Sequence, residues 1–235
     1  MNWSALSDAL SGLSWLLGAL QAILPALDLV AATVFALTGA LVASRKQMDI
    51  VGFMWLATVT GVGGGTVRDL LLGVPVFWVR DVAPVVACLA AAVVAYFTAH
   101  LVHSRYKLIL WLDALGMALV TMAGTSKGLA TGTGPVVAVV MGVITAAVGG
   151  IIRDILGQEP SIILRKEIYV TASLAGAVLY VTMLGAGFTV SAAALSGGAA
   201  AFAIRGLSLA FGWSMPTYRA RAGRTDIASP VDPKA

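Results

Sequence analysis

The sequence predicts an all-α membrane protein with seven transmembrane helices, built as two inverted three-helix repeats plus a seventh helix. Three observations predict it. Of 235 residues, 59% are hydrophobic and only 11% charged, against about 25% charged in a soluble domain. Seven apolar segments, at 27–44, 50–67, 82–102, 109–131, 135–152, 167–187 and 190–213, are joined by short connections that carry the charges. The stretch Gly63-Gly64-Gly65-Thr66-Val67-Arg68-Asp69 recurs as Val148-Gly149-Gly150-Ile151-Ile152-Arg153-Asp154, 85 residues further on.

Residues 1–26 come first. They hold Asp8 and no basic residue, unlike the basic start of a signal peptide. Trp3, Leu6, Leu10, Leu13, Leu17, Leu20 and Leu24 recur at spacings of three and four, which puts an apolar stripe along one side of a helix. This predicts an amphipathic helix lying in the membrane interface, with an additional spanning helix as the alternative. The seven segments that follow are each about 17–24 residues, enough to cross a hydrocarbon core of ~30 Å at 1.5 Å per residue. Backbone groups in lipid must be satisfied within the segment, so these are helices.

The 85-residue offset extends beyond the glycines. Asp28 matches Asp113, Gly39 matches Gly124, Thr60 matches Thr145, Pro75 matches Pro160 and Arg80 matches Arg165. The first repeat is therefore 27–103, the second 109–188, and 190–213 is the seventh helix. Three is odd, so the second copy starts on the opposite side of the membrane. The copies are then related by a pseudo-two-fold axis in the membrane plane. Orientation follows from Lys and Arg. With residue 27 outside, eleven basic residues fall on the cytoplasmic side: Arg45, Lys46, Arg105, Lys107, Arg153, Arg165, Lys166, Arg219, Arg221, Arg224 and Lys234. Arg68 and Arg80 are left outside. The expected arrangement is an inner (plasma) membrane protein of a prokaryote, with the N-terminus outside and a basic cytoplasmic tail at 214–235. The net charge of +4 is explained by loops and tail, so nucleic acid is not an expected partner.

Three consecutive glycines cost a helix about 0.8–1 kcal/mol each relative to alanine. Gly63, Gly64 and Gly65 in the second segment and Gly149 and Gly150 in the fifth are accordingly expected to break their helices. Freed backbone dipoles there can line a water-filled path. Arg68-Asp69 and Arg153-Asp154 follow the glycines; facing lipid, these four groups would cost on the order of 10 kcal/mol. They must meet protein, water or headgroups. Neighbouring helical residues point about 100° apart, so each Arg is expected to look past its own Asp. Its partner would be the other copy's Asp, or Asp28 and Asp113. Those two residues open helices, where a carboxylate suits the free amides.

Lys127 lies deep in an apolar segment among Thr121, Thr125 and Ser126, and either snorkels to an interface or stands in a conduction path as a gate. Thr60, Thr66 and Thr145 offer further hydroxyls, although such groups commonly bond their own helix backbone. Trp55, Trp78, Trp111 and Trp213 fit interfacial belts. His100 and His103 lack companions for a metal site, and the lone Cys88 permits no intrachain disulfide. No nucleophile–base constellation, phosphate-cradling loop or Cys/His cluster is present, so no enzyme activity, cofactor or metal is expected.

The doubled Gly-Gly-x-x-Arg-Asp motif in a 3+3+1 chain resembles the prokaryotic members of the trimeric intracellular cation (TRIC) channels, also labelled a glycine-transporter-like or YadS-like domain family. The resemblance spans roughly 27–213. It implies a homotrimer in the lipid bilayer with one pore per protomer, bent helices at Gly63–Gly65 and Gly149-Gly150, permeation of the monovalent cations potassium and sodium, and a closing role for Lys127. Eukaryotic members carry a Lys-Glu-Val phosphoinositide motif at the start of the fourth helix. This chain has Leu108-Ile109-Leu110 there, and its Lys166-Glu167-Ile168 lies in another loop, so that binding is not implied. Two rivals stand beside the channel: a secondary transporter of a small amino acid such as glycine, and a trimeric scaffold without transport.

Overall fold

A computed structural model describes residues 26–102, 104–159 and 168–214. The amphipathic helix expected before residue 26, His103, the loop around Arg165 and the tail from 215 onward lie outside the described residues. The described chain folds into helices α1 (Ala26–Arg45), α2 (Ile50–Leu71), a single-turn α3 (Phe77–Arg80), α4 (Ala83–Thr98) prolonged by a 3-10 turn (Ala99–Leu101), α5 (Arg105–Ala130), α6 (Pro135–Leu156), α7 (Val170–Gly185) and α8 (Val190–Phe211). Six of them, α1, α2, α4 with its 3-10 turn, α5, α6 and α8, are long and apolar enough to cross a membrane; α7, with 16 residues, is shorter.

Helix starts follow local chemistry. The Asp49 carboxylate accepts from the Gly52 amide at 2.7 Å ahead of α2. Thr189 accepts from Ala192 ahead of α8, and Pro84 and Pro135 open α4 and α6, where a missing amide costs nothing. Ser104 caps α5 through Lys107, so α5 begins four residues before the expected segment. Asp113 is thus corrected from a helix-opening residue to one in the third turn. The ends of α2 and α6 are copies of each other. Leu72, Gly73 and Val74 donate to the carbonyls of Arg68, Leu70 and Asp69; Gly157, Gln158 and Glu159 donate to those of Arg153, Ile155 and Asp154. Gly73 (φ 65°) and Gln158 (φ 49°) take the left-handed conformation that such ends require.

The expected helix breaks are not there. α2 runs unbroken through Gly63, Gly64 and Gly65, and α6 runs unbroken through Gly149 and Gly150. The physical reason is the solvent: three glycines forfeit about 3 kcal/mol of propensity, whereas each backbone group unsatisfied in an apolar medium costs several kcal/mol. The glycines serve close approach instead. A Cβ on Gly64 would overlap the Thr145 carbonyl oxygen, and one on Gly149 would lie 3.2 Å from the Thr60 carbonyl oxygen. Residue and partner exchange places between the two contacts, as a two-fold rotation demands. The same holds within each half. A Cβ on Gly39 would lie 2.7 Å from the Leu56 oxygen and 2.8 Å from Thr60 Oγ1; on Gly124 it would lie 2.9 Å from the Met141 oxygen and 2.7 Å from Thr145 Oγ1. Helices α1 on α2 and α5 on α6 therefore pack by one repeated contact, and α2 crosses α6 at the glycines.

Candidate functional site: two buried charge clusters

The charged residues singled out from the sequence assemble into two clusters. In the first, Arg68 is fully buried and grips Asp28 through both terminal nitrogens, Nη1 to Oδ1 at 2.7 Å and Nη2 to Oδ2 at 3.1 Å. Its Nε donates to Asp69 Oδ1 at 2.7 Å. The other Asp69 oxygen, Oδ2, accepts from Lys127 Nζ at 2.8 Å and from the Phe77 amide at 2.8 Å. The Phe77 ring lies 5.6 Å from the Arg68 guanidinium and 5.9 Å from Lys127 Nζ, within cation–π reach of both. The turn after α2 thus has a specific task. It returns α3 over the cluster so that a backbone amide and an aromatic face close it.

The second cluster repeats the first. Arg153 Nη1 donates to Asp113 Oδ1 at 2.7 Å, and Nε and Nη2 donate to Asp154 Oδ1 at 3.0 and 2.8 Å. Arg153 Nη1 also reaches Thr38 Oγ1 on α1 at 3.1 Å. Arg68 therefore holds one end of α1 at Asp28 and Arg153 holds it ten residues later, about 15 Å along the helix.

Each Arg pairs with the Asp beside it, which corrects the expectation drawn from the 100° angle between neighbouring positions. That angle describes Cβ directions. An Arg side chain is long enough to fold along the helix surface and present its edge nitrogen to the next residue. Of the two other partners expected, Asp28 and Asp113 are the ones used, not the Asp of the opposite copy. Carrying two carboxylates and two cations, the first cluster is neutral. That is how four charges persist where isolated ones would cost several kcal/mol each.

A cavity of about 520 Å³ opens onto the first cluster, lined by Asp28, Phe77, Arg80, Asp81, Lys127 and Thr131 among others. Lys127 is the group that faces both ways: its side chain is 16% exposed, while those of Arg68 and Asp69 are at 0%. The hydroxyls singled out from the sequence bond mostly to their own helices. Thr60, Thr125 and Thr145 are buried and donate to the carbonyls of Leu56, Thr121 and Met141 on their own helices. Thr66 bonds the Val62 carbonyl and receives the Trp78 indole N–H at 2.8 Å. Ser126 bonds the Tyr180 hydroxyl at 2.7 Å. Trp55 and Trp213 are exposed on the bundle surface.

Phe77 escaped the sequence reading as a site residue, as did Tyr169, whose hydroxyl lies by Gly150 beside the second cluster, and Arg205, whose guanidinium lies over the Tyr169 ring at 5.4 Å. Arg205 is a charge in an apolar segment, the same signal that singled out Lys127. Tyr169 and Phe77 carried none, because aromatic residues at helix starts are commonplace. No group of three or more metal-ligating side chains occurs among the described residues.

Fold and site together define a multi-spanning helical membrane protein whose duplicated halves each bury an Asp–Arg–Asp cluster. The family model described as glycine transporter matches the chain twice, at residues 25–100 and 110–184, and the second match begins 85 residues after the first. The chain belongs to this family, which is that of the TRIC and YadS proteins. It is 38% identical to a UPF0126 membrane protein of Vibrio cholerae over 82% of this chain and 81% of that protein. It is 40% identical to the inner membrane protein YadS of Escherichia coli over 66% of this chain and 76% of YadS. Among solved structures, the TRIC trimeric intracellular cation channel orthologue of Rhodobacter sphaeroides superposes with a TM-score of 0.79 at 52% identity, covering 81% of this chain and 99% of that one. A structure addressing conductance through TRIC cation channels superposes with a TM-score of 0.74 at 27% identity, covering 84% of this chain and 98% of that one.

Proposed function

We propose that the chain is a channel for monovalent cations, potassium and sodium, with a path inside each protomer of a homotrimer, and that the described conformation is closed. The reading rests on seven spans with α7 among them, two inverted three-helix repeats, and an inner membrane location with the C-terminus cytoplasmic. The reciprocal Gly64–Thr145 and Gly149–Thr60 contacts support the inverted repeat. The relationship to solved cation channels supports permeation. One observation carries the site: the cavity ends on Lys127, whose ammonium occupies Asp69 Oδ2 at 2.8 Å.

The chemistry follows from that contact. A cation entering the cavity meets Asp28, but the inner carboxylate is already neutralised by Lys127. Withdrawing the ammonium on its flexible stem exposes Asp69 Oδ2 to the cavity and removes a positive charge from the entrance. Both changes lower the barrier for a cation. Opening beyond this point parts α2 from α6 at their glycines, where the two backbones lie against each other.

Purified protein in a planar bilayer tests the reading. Discrete ohmic potassium currents are expected. Lys127→Ala, which removes a charge-assisted bond of about 1.5–3 kcal/mol, is expected to raise open probability about tenfold. Saturable glycine uptake driven by a proton or sodium gradient, with no single-channel events, would replace the channel by a carrier. Neither currents nor uptake would leave a scaffold.

A further inference from the structure

Two sets of ion pairs cross from one repeat to the other. The first, Lys127 to Asp69, closes on the cavity described above. In the second, Glu159 Oε1, just past the end of α6, meets Arg45 Nη1 at 3.4 Å and Lys46 Nζ at 3.6 Å from the end of α1. Lys46 Nζ also donates to the Gln158 carbonyl at 3.3 Å, and the Arg45 guanidinium lies over the Tyr106 ring at 5.1 Å. Tyr106 is in the first turn of α5. Lys127 follows 21 residues further along the same helix, about 32 Å at 1.5 Å per residue. The two sets therefore stand at opposite faces of the bundle, separated by about the thickness of a hydrocarbon core.

The 85-residue offset makes them equivalent places. Lys127 corresponds to Val42, Ala130 and Thr131 correspond to Arg45 and Lys46, and Val74 corresponds to Glu159. At the first face Val74, Ala130 and Thr131 all line the cavity beside Lys127. At the second face Val42 packs under the end of α6, where a Cβ on Gly157 would lie 2.5 Å from Val42 Cγ1. The same turn ends α2 and α6, and it fixes Glu159 through its amide on the Asp154 carbonyl at 2.9 Å. That turn delivers an apolar side chain to an open wall in one half and a carboxylate to two cations in the other.

We propose that Glu159, gripped by Arg45 and Lys46, is a latch that holds the two repeats together at the face opposite Lys127, and that α6 leaves α1 only when it opens. This rests on the channel reading above. Parting α2 from α6 carries the end of α6 away from the first repeat, and the latch spans that seam. The two locks differ in kind. Lys127 holds a carboxylate that is completely buried, where salt screens little. The side chains of Arg45 and Lys46 are about a third exposed, so their hold on Glu159 weakens as salt rises.

Single-channel open probability tests the latch. Glu159→Gln is expected to raise it about threefold, the scale of a partly exposed ion pair. Arg45→Glu, which sets two carboxylates against each other, is expected to raise it further. The exchanged pair, Arg45→Glu with Glu159→Arg, is expected to return to within about twofold of wild type, which a mere loss of packing would not allow. Adding N-methyl-D-glucamine chloride to one side shortens the Debye length from about 10 Å at 0.1 M to about 3 Å at 1 M. It is expected to raise wild-type open probability from one side only and to leave Glu159→Gln unchanged, and it needs no charge-reversed variant to assemble. Wild-type open probability in Glu159→Gln, or salt acting equally on Glu159→Gln and wild type, would overturn the latch while leaving the channel standing. Absence of currents from the wild-type protein would instead reject the channel reading, and the latch with it.

Discussion

Gly64→Ala is expected to abolish conduction and to destabilise the protein by about 3 kcal/mol, the upper part of the range for overpacked interiors. The added methyl would overlap the Thr145 carbonyl oxygen. That atom is backbone of α6 and cannot rotate aside, so the helices must separate along their crossing. Gly149→Ala meets the Thr60 carbonyl at 3.2 Å and is expected to cost less than half as much. The sign of the effect discriminates between two roles for these glycines. Were they weak points in their helices, alanine would stabilise each by about 0.8–1 kcal/mol. Thermal unfolding in detergent, followed by size-exclusion chromatography of the surviving oligomer, measures the difference. A Gly64→Ala protein melting at or above the wild-type temperature would refute the packing role.

Arg68→Met is expected to be the most damaging single change in the chain, at about 3–5 kcal/mol. It leaves Asp28 and Asp69 buried against the single charge of Lys127, and Asp28 loses a bidentate partner. Adding Asp28→Asn restores neutrality, because Asp69 then faces Lys127 alone. The double variant is expected to recover at least half of the loss, a coupling of more than about 1.5 kcal/mol. Adding Asp154→Asn instead is expected to recover nothing, since the guanidinium of Arg68 is held by Asp28 and Asp69. Melting temperatures of the wild type, the two single variants Arg68→Met and Asp28→Asn, and the two double variants decide it. Additive losses from Arg68→Met and Asp28→Asn would show that the pair contributes nothing as a pair.

The helical segments were legible in the sequence because the bilayer imposes a length, and the duplication because identities of Asp, Arg and Gly at one offset do not arise from composition. Ends were less legible. The segment expected to stop at residue 67 continues as helix to Leu71, and the one expected to stop at 152 continues to Leu156. In both cases the expected segment stops just before a charged pair, and the ion pairs made by that pair let the helix run through it to an end two residues further on. The glycine motif marked the right place with the wrong structure. Sequence shows that side chains are missing; only the neighbouring helix shows whether the space is filled by water or by another backbone. Asp28 and Asp113 were recognised as candidate partners for the arginines, but Phe77 and Tyr169 come together with the charges only through the turn after α2 and the approach of α8.

The single thiol of the chain offers a practical consequence. Cys88 is completely buried, with its sulfur on the Ala32 carbonyl at 3.6 Å and against the backbone of Gly61. Water-soluble methanethiosulfonate reagents have no approach to it while α1, α2 and α4 stay together. Cysteines introduced one at a time along the cavity wall can therefore be labelled without first deleting the native one, and the permeation route can be traced chemically in an otherwise unaltered protein.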